Sequence, residues 1–332
     1  MASCCKVARP AFGAKHEILS GFGESVIVQQ AVFRWILAAS RPMALFIRFG
    51  VLAVLPLSPL PLSFLAPSPV LAQTTTVPAP MDESDLASRA FFAGDYATAK
   101  RLWEKLAAEN DPAAMTNLGI MYEKGLGVKQ DVKAAETLYL RAANLGYAQA
   151  QFDLGNLYYN GNGIDQDYKQ AGRWYMAAAM SGHLRAQYYL AQMYENGEGV
   201  KEDRLNALKW YLKAADGGLP EAKYVIGRKL LNGEDIKEDH PKAIPYLQGA
   251  ADAGVPHARA WLGIAYLNGW GTPKNLVSAY IWLELALDRL PAGELQQKAY
   301  DGVRQAENEM TQSEIAAAKR LLAKAEAKQS KP

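Results

Sequence analysis

Cysteine is nearly absent from this chain, since the only two, Cys4 and Cys5, stand side by side at the N-terminus. Beyond them no thiol remains to form a disulfide, to ligate a metal or to act as a nucleophile. The rest of the chain must therefore fold without covalent cross-links, and it can do so in an oxidising compartment.

An excess of charge of one sign is also lacking. The formal net charge is +2, from 36 Lys and Arg against 34 Asp and Glu. Residues 73–332 alone hold 30 basic and 32 acidic side chains. Because nucleic-acid binding needs a basic face, this balance argues against a nucleic acid as a partner.

Motifs of catalysis and metal binding are missing. His183, His240 and His257 have no cysteine or second histidine at metal-ligand spacing. Phosphate-binding loops, nucleophile elbows and zinc-protease helices are absent as well. The acidic residues within 234–239 lack the spacing of a calcium loop and are interpreted as a solvated loop. We expect no enzyme activity, no catalytic residues, no cofactor and no metal.

Long apolar runs are missing too, because prolines interrupt them before the ~20 residues that a membrane span needs. We assign no role to residues 1–42. From Met43 the chain has a short basic region, an apolar run at Phe49–Leu55 and an acceptable cleavage site at Val70-Leu71-Ala72 before Gln73. This order predicts a signal peptide cleaved near Ala72 and export to the periplasm or medium, with a retained anchor as the alternative. A disordered linker is predicted at 73–80.

What the chain does contain is a repeat of 36 residues. Positions 36 apart carry the same kinds of residue in five copies. These columns are Ala114, Ala150, Ala186, Ala222 and Ala258; Gly119, Gly155, Ala191, Gly227 and Gly263; and Asp131, Asp167, Asp203, Asp239 and Asn275. Such a period predicts an all-α solenoid, in which each unit buries its apolar face only against its neighbours.

Each copy is predicted to be a pair of helices. In the second copy, Leu154 and its neighbours four positions away lie on one face of the first helix, and Gly155 indicates close approach of another helix. Gly161 is predicted to end that helix and Asp167 to cap the second. The apolar stripe of the second helix is Ala171, Trp174, Tyr175, Ala178 and Ala179.

The columns, together with the Gly125-x-Gly127 loop between the helices, resemble the Sel1-like repeat, a relative of the tetratricopeptide repeat. The resemblance implies a right-handed α-solenoid of antiparallel helix pairs in a bacterial, exported protein. It divides the chain into a tetratricopeptide-like capping pair at 81–112, five repeats at 113–290, and capping helices with a tail at 291–332. In this last segment we predict helices at Glu294–Met310 and Glu314–Lys328.

The resemblance also implies a function. Members of this family are mostly adaptors, which predicts a non-catalytic envelope scaffold that binds a protein or peptide on its concave face. From the charge balance and the interrupted apolar run we expect no nucleic-acid partner and no stable membrane insertion once the leader is cleaved. A cysteine-rich branch of the family is linked to β-lactamase-like activity, so an enzyme or binder acting on peptidoglycan fragments or β-lactams is the alternative. The shortage of cysteine departs from that branch.

The candidate binding surface follows from the columns that vary between copies. If first helices line the concave face, the residues that point away from the packing are available to a partner. Less polar members of the same set are Ile120, Val225 and Ile264. The candidate partner-binding residues are Asn117, Asp153, Asn156, Tyr189, Gln192, Arg228 and Trp261. The alternative is that they only solvate a face that binds nothing.

The fourth copy is irregular. Leu230 replaces a tyrosine, Asp235 replaces the second loop glycine, and Pro245 falls within the second helix. A proline inside a helix removes one hydrogen bond. Either the sequence has drifted here or the superhelix bends.

Overall fold

The computed structural model describes residues 82–329, which form fourteen α-helices and no strand. The predicted leader, cleavage site and linker lie outside these residues. The helices are α1 (Glu83–Phe92), α2 (Tyr96–Ala108), α3 (Pro112–Lys124), α4 (Val132–Asn144), α5 (Ala148–Asn160), α6 (Tyr168–Met180), α7 (Leu184–Asn196), α8 (Arg204–Asp216), α9 (Pro220–Asn232), α10 (His240–Asp252), α11 (Pro256–Asn268), α12 (Leu276–Leu287), α13 (Glu294–Glu309) and α14 (Gln312–Gln329). None of them is both long and apolar enough to cross a membrane.

Helices α3 to α12 form five pairs, which we call repeats one to five, and each pair packs against the next. The predicted solenoid of helix pairs is confirmed. Its local signals are confirmed as well, because Gly161 ends α5 at φ 68° and the Asp167 side chain accepts a hydrogen bond from the Gln170 N–H. The same cap begins every second helix, at Asp131, Asp167, Asp203, Asp239 and Asn275.

At the glycine column the two helices of a repeat approach each other closely, as the sequence predicts. A Cβ atom added to Gly155 would lie 2.6 Å from Cδ1 of Tyr175 in the partner helix. Tyr175 is buried, whereas the neighbouring Trp174 is half-buried and packs against the core of repeats one and two. The tyrosine, not the tryptophan, therefore fills the space beneath the glycine. The residues facing the column are Tyr139, Tyr175, Leu247 and Leu283.

In repeat four, Asp235 stands at the position of the second loop glycine and forms a buried ion pair. Asp235 has φ 59°, and its carboxylate accepts a hydrogen bond of 2.6 Å from Lys229 Nζ, a side chain only 3% exposed. Lys229 Nζ also donates to Glu195 Oε1 of repeat three at 2.6 Å. The interpretation of the acidic residues as a solvated loop is thus wrong for Asp235. Helix α10 runs without interruption through Pro245.

Further helix pairs lie at both ends of the array. The first is α1 and α2, joined by a turn in which Gly94 has φ 80°. At the other end, α13 stops one residue earlier than predicted and α14 starts two residues earlier. The Thr311 N–H donates to Glu314 Oε2 at 2.8 Å and the Glu314 N–H to Thr311 Oγ1 at 3.3 Å, so the capping box before α14 is confirmed.

Candidate functional site

The inner side of the array is formed by the first helices. Helix α3 contacts α5, and α9 contacts α11, so first helices touch between repeats one and two and between repeats four and five. Among the described helices, no two successive second helices make a contact of comparable extent. Because first helices lie closer together, the array curves towards them, and their free faces line the concave side.

A stripe of four positions on each first helix forms this face. In α5 these are Gln149, Asp153, Asn156 and Asn160, spaced so that they share one side of the helix. The first three are half-buried and the fourth is exposed. All seven candidate residues lie on the corresponding stripes, as a row along several repeats and not around one pocket. The described stripes of the other repeats are Ala113, Asn117, Ile120 and Lys124; Arg185, Tyr189, Gln192 and Asn196; Glu221, Val225, Arg228 and Asn232; and His257, Trp261, Ile264 and Asn268.

Two of the apolar members are not available to a partner. Val225 and Ile264 are each only 8% exposed and belong to the cores of the last two repeats. The prediction that they line the groove is wrong, because both side chains are packed into the core. Asn117, by contrast, is half-buried at the other end of the row.

Besides Asp153, which is described below, three polar candidates already have partners within the chain. Asn156 Oδ1 accepts a hydrogen bond of 2.7 Å from the Tyr175 hydroxyl. Gln192 Nε2 donates to the Tyr188 hydroxyl at 3.2 Å. Arg228 Nη1 donates to both carboxylate oxygens of Glu234, at 2.8 and 2.6 Å. The guanidinium of Arg228 is therefore already paired with a carboxylate from the loop that follows its helix.

Aromatic rings are concentrated where repeats two and three meet. Tyr189 stacks on Tyr175 with ring centres 5.7 Å apart and planes 16° apart, and it lies 5.8 Å from Phe152. Tyr188 meets Tyr189 edge to face at 5.7 Å. Trp261 provides a second half-buried ring, two repeats further along. These rings give the groove flat, rigid apolar contacts of the kind that dominate binding energy.

A chain of hydrogen bonds connects repeats two and three. His183 caps α7 by accepting the Ala186 N–H at Nδ1, so its proton resides on Nε2 and donates to Gln149 Oε1 at 3.2 Å. Gln149 Nε2 in turn donates to Asp153 Oδ1 at 2.9 Å. Burial lowers the pKa of His183 to about 4, and the imidazole is neutral at pH 7.

Asp153 differs from an ordinary surface carboxylate. Its Oδ2 atom is inaccessible and makes no hydrogen bond within the described residues. Burial raises the pKa of Asp153 to about 7, against the opposing hydrogen bond from Gln149. The group is therefore partly protonated at neutral pH, and it does not offer a free charge to a partner.

Sequence reasoning missed Gln149, His183 and the exposed asparagines at the ends of the stripes. Stepping four residues back from Asp153 and four forward from Asn156 would have found Gln149 and Asn160. What the face offers is amides, hydroxyls and rings suited to binding. The described residues hold no group of three or more His, Cys, Asp or Glu placed to bind a metal ion.

A profile of the Sel1 repeat matches this array five times, at residues 112–147, 148–183, 184–219, 220–255 and 256–289. These segments make up more than half of the 332 residues. The chain belongs to the Sel1 repeat family. Sel1 repeats are protein interaction modules and generally serve as non-catalytic scaffolds. The fold of this family is the right-handed solenoid that the resemblance implies.

Among solved structures of similar proteins, one agrees with the fold. A Sel1 repeat protein from Oxalobacter formigenes is 28% identical, with a TM-score of 0.61, over 75% of this chain and 100% of that one. A protective antigen of uropathogenic Escherichia coli, c5321, is 23% identical over 75% and 71% of the two chains, with a TM-score of 0.34. The immunity protein Pa5087 of Pseudomonas aeruginosa is 22% identical over 69% and 84%, with a TM-score of 0.40. No curated protein matches the chain.

Proposed function

We propose that this Sel1 repeat protein is an exported, non-catalytic adaptor that binds a protein or peptide along the concave stripe. The observation that carries the proposal is the contrast between columns. Packing columns repeat from copy to copy, while the stripe of first-helix residues changes from Asn117 to Asp153 to Tyr189. Residues released from a common packing role are free to be selected for a partner.

Export is supported by the leader sequence from Met43 and by the absence of cysteine after Cys5. We expect the mature chain to begin near Gln73. Sequencing the N-terminus of the protein extracted from its host tests this, and a retained leader in a cytoplasmic fraction would contradict it.

Site-specific photo-crosslinking tests the groove. A photoreactive amino acid at Gln192 is expected to trap a partner, whereas the same residue at exposed Arg173 on second helix α6 is not. Capture at Gln192 should weaken when Tyr189 and Trp261 are both changed to alanine, in protein whose circular dichroism is unchanged. Equal capture from both positions, or capture that survives the double change, would remove the concave face from consideration.

A further inference from the structure

The chain contains five Asn-Gly dipeptides, and all of them lie in the repeat array. Asparagine is among the chemically labile residues of proteins, and it is most labile before glycine, which has no Cβ to hinder attack by its own main-chain nitrogen. Four of the five asparagines are the last helical residues of first helices, whereas one lies in a loop. The pairs are Asn160-Gly161, Asn162-Gly163, Asn196-Gly197, Asn232-Gly233 and Asn268-Gly269.

The reaction at such a pair is deamidation. The glycine nitrogen, after losing its proton to water, attacks the side-chain carbon Cγ of the asparagine. A Cγ–N bond forms, the bond from Cγ to Nδ2 breaks, and Nδ2 takes up a proton and leaves as ammonia. A water molecule then opens the cyclic imide at either of its carbonyl carbons and returns a proton to the nitrogen, which yields aspartate or isoaspartate. The reaction therefore needs a glycine N–H that is open to water and free to approach the side chain.

The fold withholds this N–H at four of the pairs. The N–H of Gly161 donates to the Leu157 carbonyl at 3.0 Å, in the left-handed conformation that ends α5. That hydrogen bond must be broken before the nitrogen can react. The N–H groups of Gly197, Gly233 and Gly269 donate in the same way to the carbonyls of Met193, Lys229 and Ala265.

Asn162-Gly163 has no such protection. It lies in the loop between α5 and α6, both of its residues are exposed, and Gly163 has φ 85°. Within the described residues, neither the Gly163 N–H nor the side chain of Asn162 makes a hydrogen bond. The attacking nitrogen and the amide that it attacks are thus both open to water.

The loop of repeat two also lacks a main-chain bond that the other four loops have. In those loops the residue between the two glycine positions donates its N–H to the carbonyl five residues before it, as when the Glu198 N–H donates to the Met193 carbonyl at 3.0 Å. The Asn162 N–H makes no hydrogen bond within the part of the chain that the structure describes. Fewer bonds therefore restrain Asn162 as it turns towards the Gly163 nitrogen. The equivalent bonds of the other loops join Leu126 to Met121, Glu234 to Lys229 and Trp270 to Ala265.

We propose that Asn162 is a site of spontaneous deamidation in the folded protein, and that it converts to aspartate and isoaspartate faster than the other four asparagines. The modification requires water and no enzyme. It does not depend on a partner or on the function proposed above.

The two products differ in their effect on the junction of repeats one and two. Gly163 packs against the start of α4, since a Cβ atom added to it would lie 2.7 Å from Cγ2 of Val132. Isoaspartate adds a carbon atom to the main chain directly before this glycine, so the contact cannot stay as it is. Aspartate leaves the main chain unchanged, and repeats three and four carry the carboxylates Glu198 and Glu234 at the same position. We expect isoaspartate to destabilise the junction and aspartate to be tolerated.

Incubation of the purified protein in mildly alkaline buffer tests the proposal. After digestion, mass spectrometry with electron-transfer fragmentation measures the fractions of amide, aspartate and isoaspartate at each of the five positions. We expect Asn162 to react at least about fivefold faster than any of the other four, because the hydrogen bonds of their glycines must be broken first. In water enriched in ¹⁸O, each product should gain a labelled oxygen atom from the opening of the imide.

The unfolded protein is the matched control. In guanidinium chloride the hydrogen bonds at the helix ends are lost, and all five pairs should then react at similar rates. Equal rates in the folded protein, or an excess at Asn162 that persists unchanged after unfolding, would overturn the proposal.

Variants at the same position test the effect on the junction. Asn162→Gln would have to form a larger ring, so this variant should lose the fast reaction and keep its urea midpoint after incubation. Incubated wild-type protein should contain a fraction that unfolds at lower urea concentration, while fresh Asn162→Asp should unfold like fresh wild type. Protein rich in isoaspartate at this position with an unchanged midpoint would overturn the predicted destabilisation.

Discussion

Repeats one to three and repeats four and five fill the same space between their two helices with different side chains. Beneath the small residue of the first helix, the earlier repeats bury Tyr139, Tyr175 and Tyr211, whereas the later ones bury Leu247 and Leu283. The hydroxyls of Tyr139 and Tyr211 donate to Glu123 and Glu195 at 2.8 Å, and that of Tyr175 to Asn156 at 2.7 Å.

The acceptor changes together with the tyrosine. At the positions equivalent to Glu123 and Glu195, repeats four and five carry Leu231 and Leu267, both buried. In repeat two the same position is Tyr159, and there the hydroxyl bonds to Asn156 instead. A buried hydroxyl left without a partner costs more than its hydrogen bond contributes, so donor and acceptor must be exchanged as a pair.

The two chemistries meet at one interface. Glu195 of repeat three accepts both the Tyr211 hydroxyl and the ammonium of Lys229, which also binds Asp235 in repeat four. Burial lowers the pKa of Lys229, but the hydrogen bonds and charges of the two carboxylates outweigh it, and the net shift is upward. The ammonium therefore stays charged at pH 7. The equivalent residue of repeat three is Met193.

Removing this ammonium should have the largest effect. Lys229→Met leaves two carboxylates facing each other, and breaking a buried pair in this way typically costs 3–5 kcal/mol. We expect the free energy of unfolding in urea at pH 7 to fall by about 3 kcal/mol. This is the lower end of the range, because Glu195 is 30% exposed. Adding Asp235→Gly should recover more than half of the loss, since it restores the methionine and loop glycine of repeat three.

Lys242→Met is the control for that prediction. Lys242 pairs with Asp239 at 2.9 Å, but its side chain is 75% exposed, and such pairs contribute about 0–1 kcal/mol. A loss at Lys229 no greater than at Lys242 would mean that the junction is not held by charge.

The close approach of the two helices at the glycine column is common to both groups of repeats, and substitutions of the glycines test this. Gly155→Val and Gly227→Val should each lower the free energy of unfolding by about 2 kcal/mol, because the added atoms would overlap Tyr175 or Leu247. Alanine should cost less, as Ala191 occupies this column in repeat three and alanine favours the helix by about 1 kcal/mol. Sensitivity in only one half would show that the two halves pack at different distances.

Much of the fold was predictable because its signals are local or periodic. Asp167 caps a helix through a residue three positions away, and the close approach at Gly155 shows as a glycine recurring every 36 residues. A residue that recurs at the same position in five repeats rarely does so by chance.

The candidate site was less predictable because its bonds join residues that no period connects. Asn156 and Tyr175 are 19 positions apart, and Lys229 and Glu195 are 34 apart. Whether Val225 is covered depends on the size of side chains on neighbouring helices. The stripe could be located from helical spacing, but not which of its members were already bonded within the chain.

Deleting one hydroxyl of the polar half should have a smaller effect than the glycine variants. Tyr139→Phe removes the hydrogen bond to Glu123 and should cost about 1 kcal/mol in urea unfolding. Combined with Glu123→Leu, the loss should be less than the sum of the two single losses. Strictly additive losses would contradict the exchange of donor and acceptor as a pair.

The last predicted effect is a gain in stability, and it also belongs to the polar half. Burial raises the pKa of Asp153 from 3.8 to about 7, so between these values the folded protein binds a proton that the unfolded chain does not. This group therefore adds stability below pH 4 that is lost as the pH rises towards 7. His183 acts in the opposite direction, because its pKa is lowered from 6.5 to about 4 and stability rises with pH across that window.

In the wild-type protein Asp153 and His183 change the stability in opposite directions as the pH rises. The variant Asp153→Asn should separate the two contributions. The variant keeps an acceptor for Gln149 but cannot ionise, so its stability at pH 8 should exceed that of the wild type by about 1 kcal/mol. At about pH 2.5, well below both pKa values, the aspartate is protonated in both states, and the two proteins should unfold at nearly the same urea concentration. Between pH 4 and 6.5 the variant should gain stability more steeply than the wild type, because only the histidine contribution remains. A constant difference at every pH would mean that Asp153 is ionised in the fold, and that its Oδ2 finds a partner in solution.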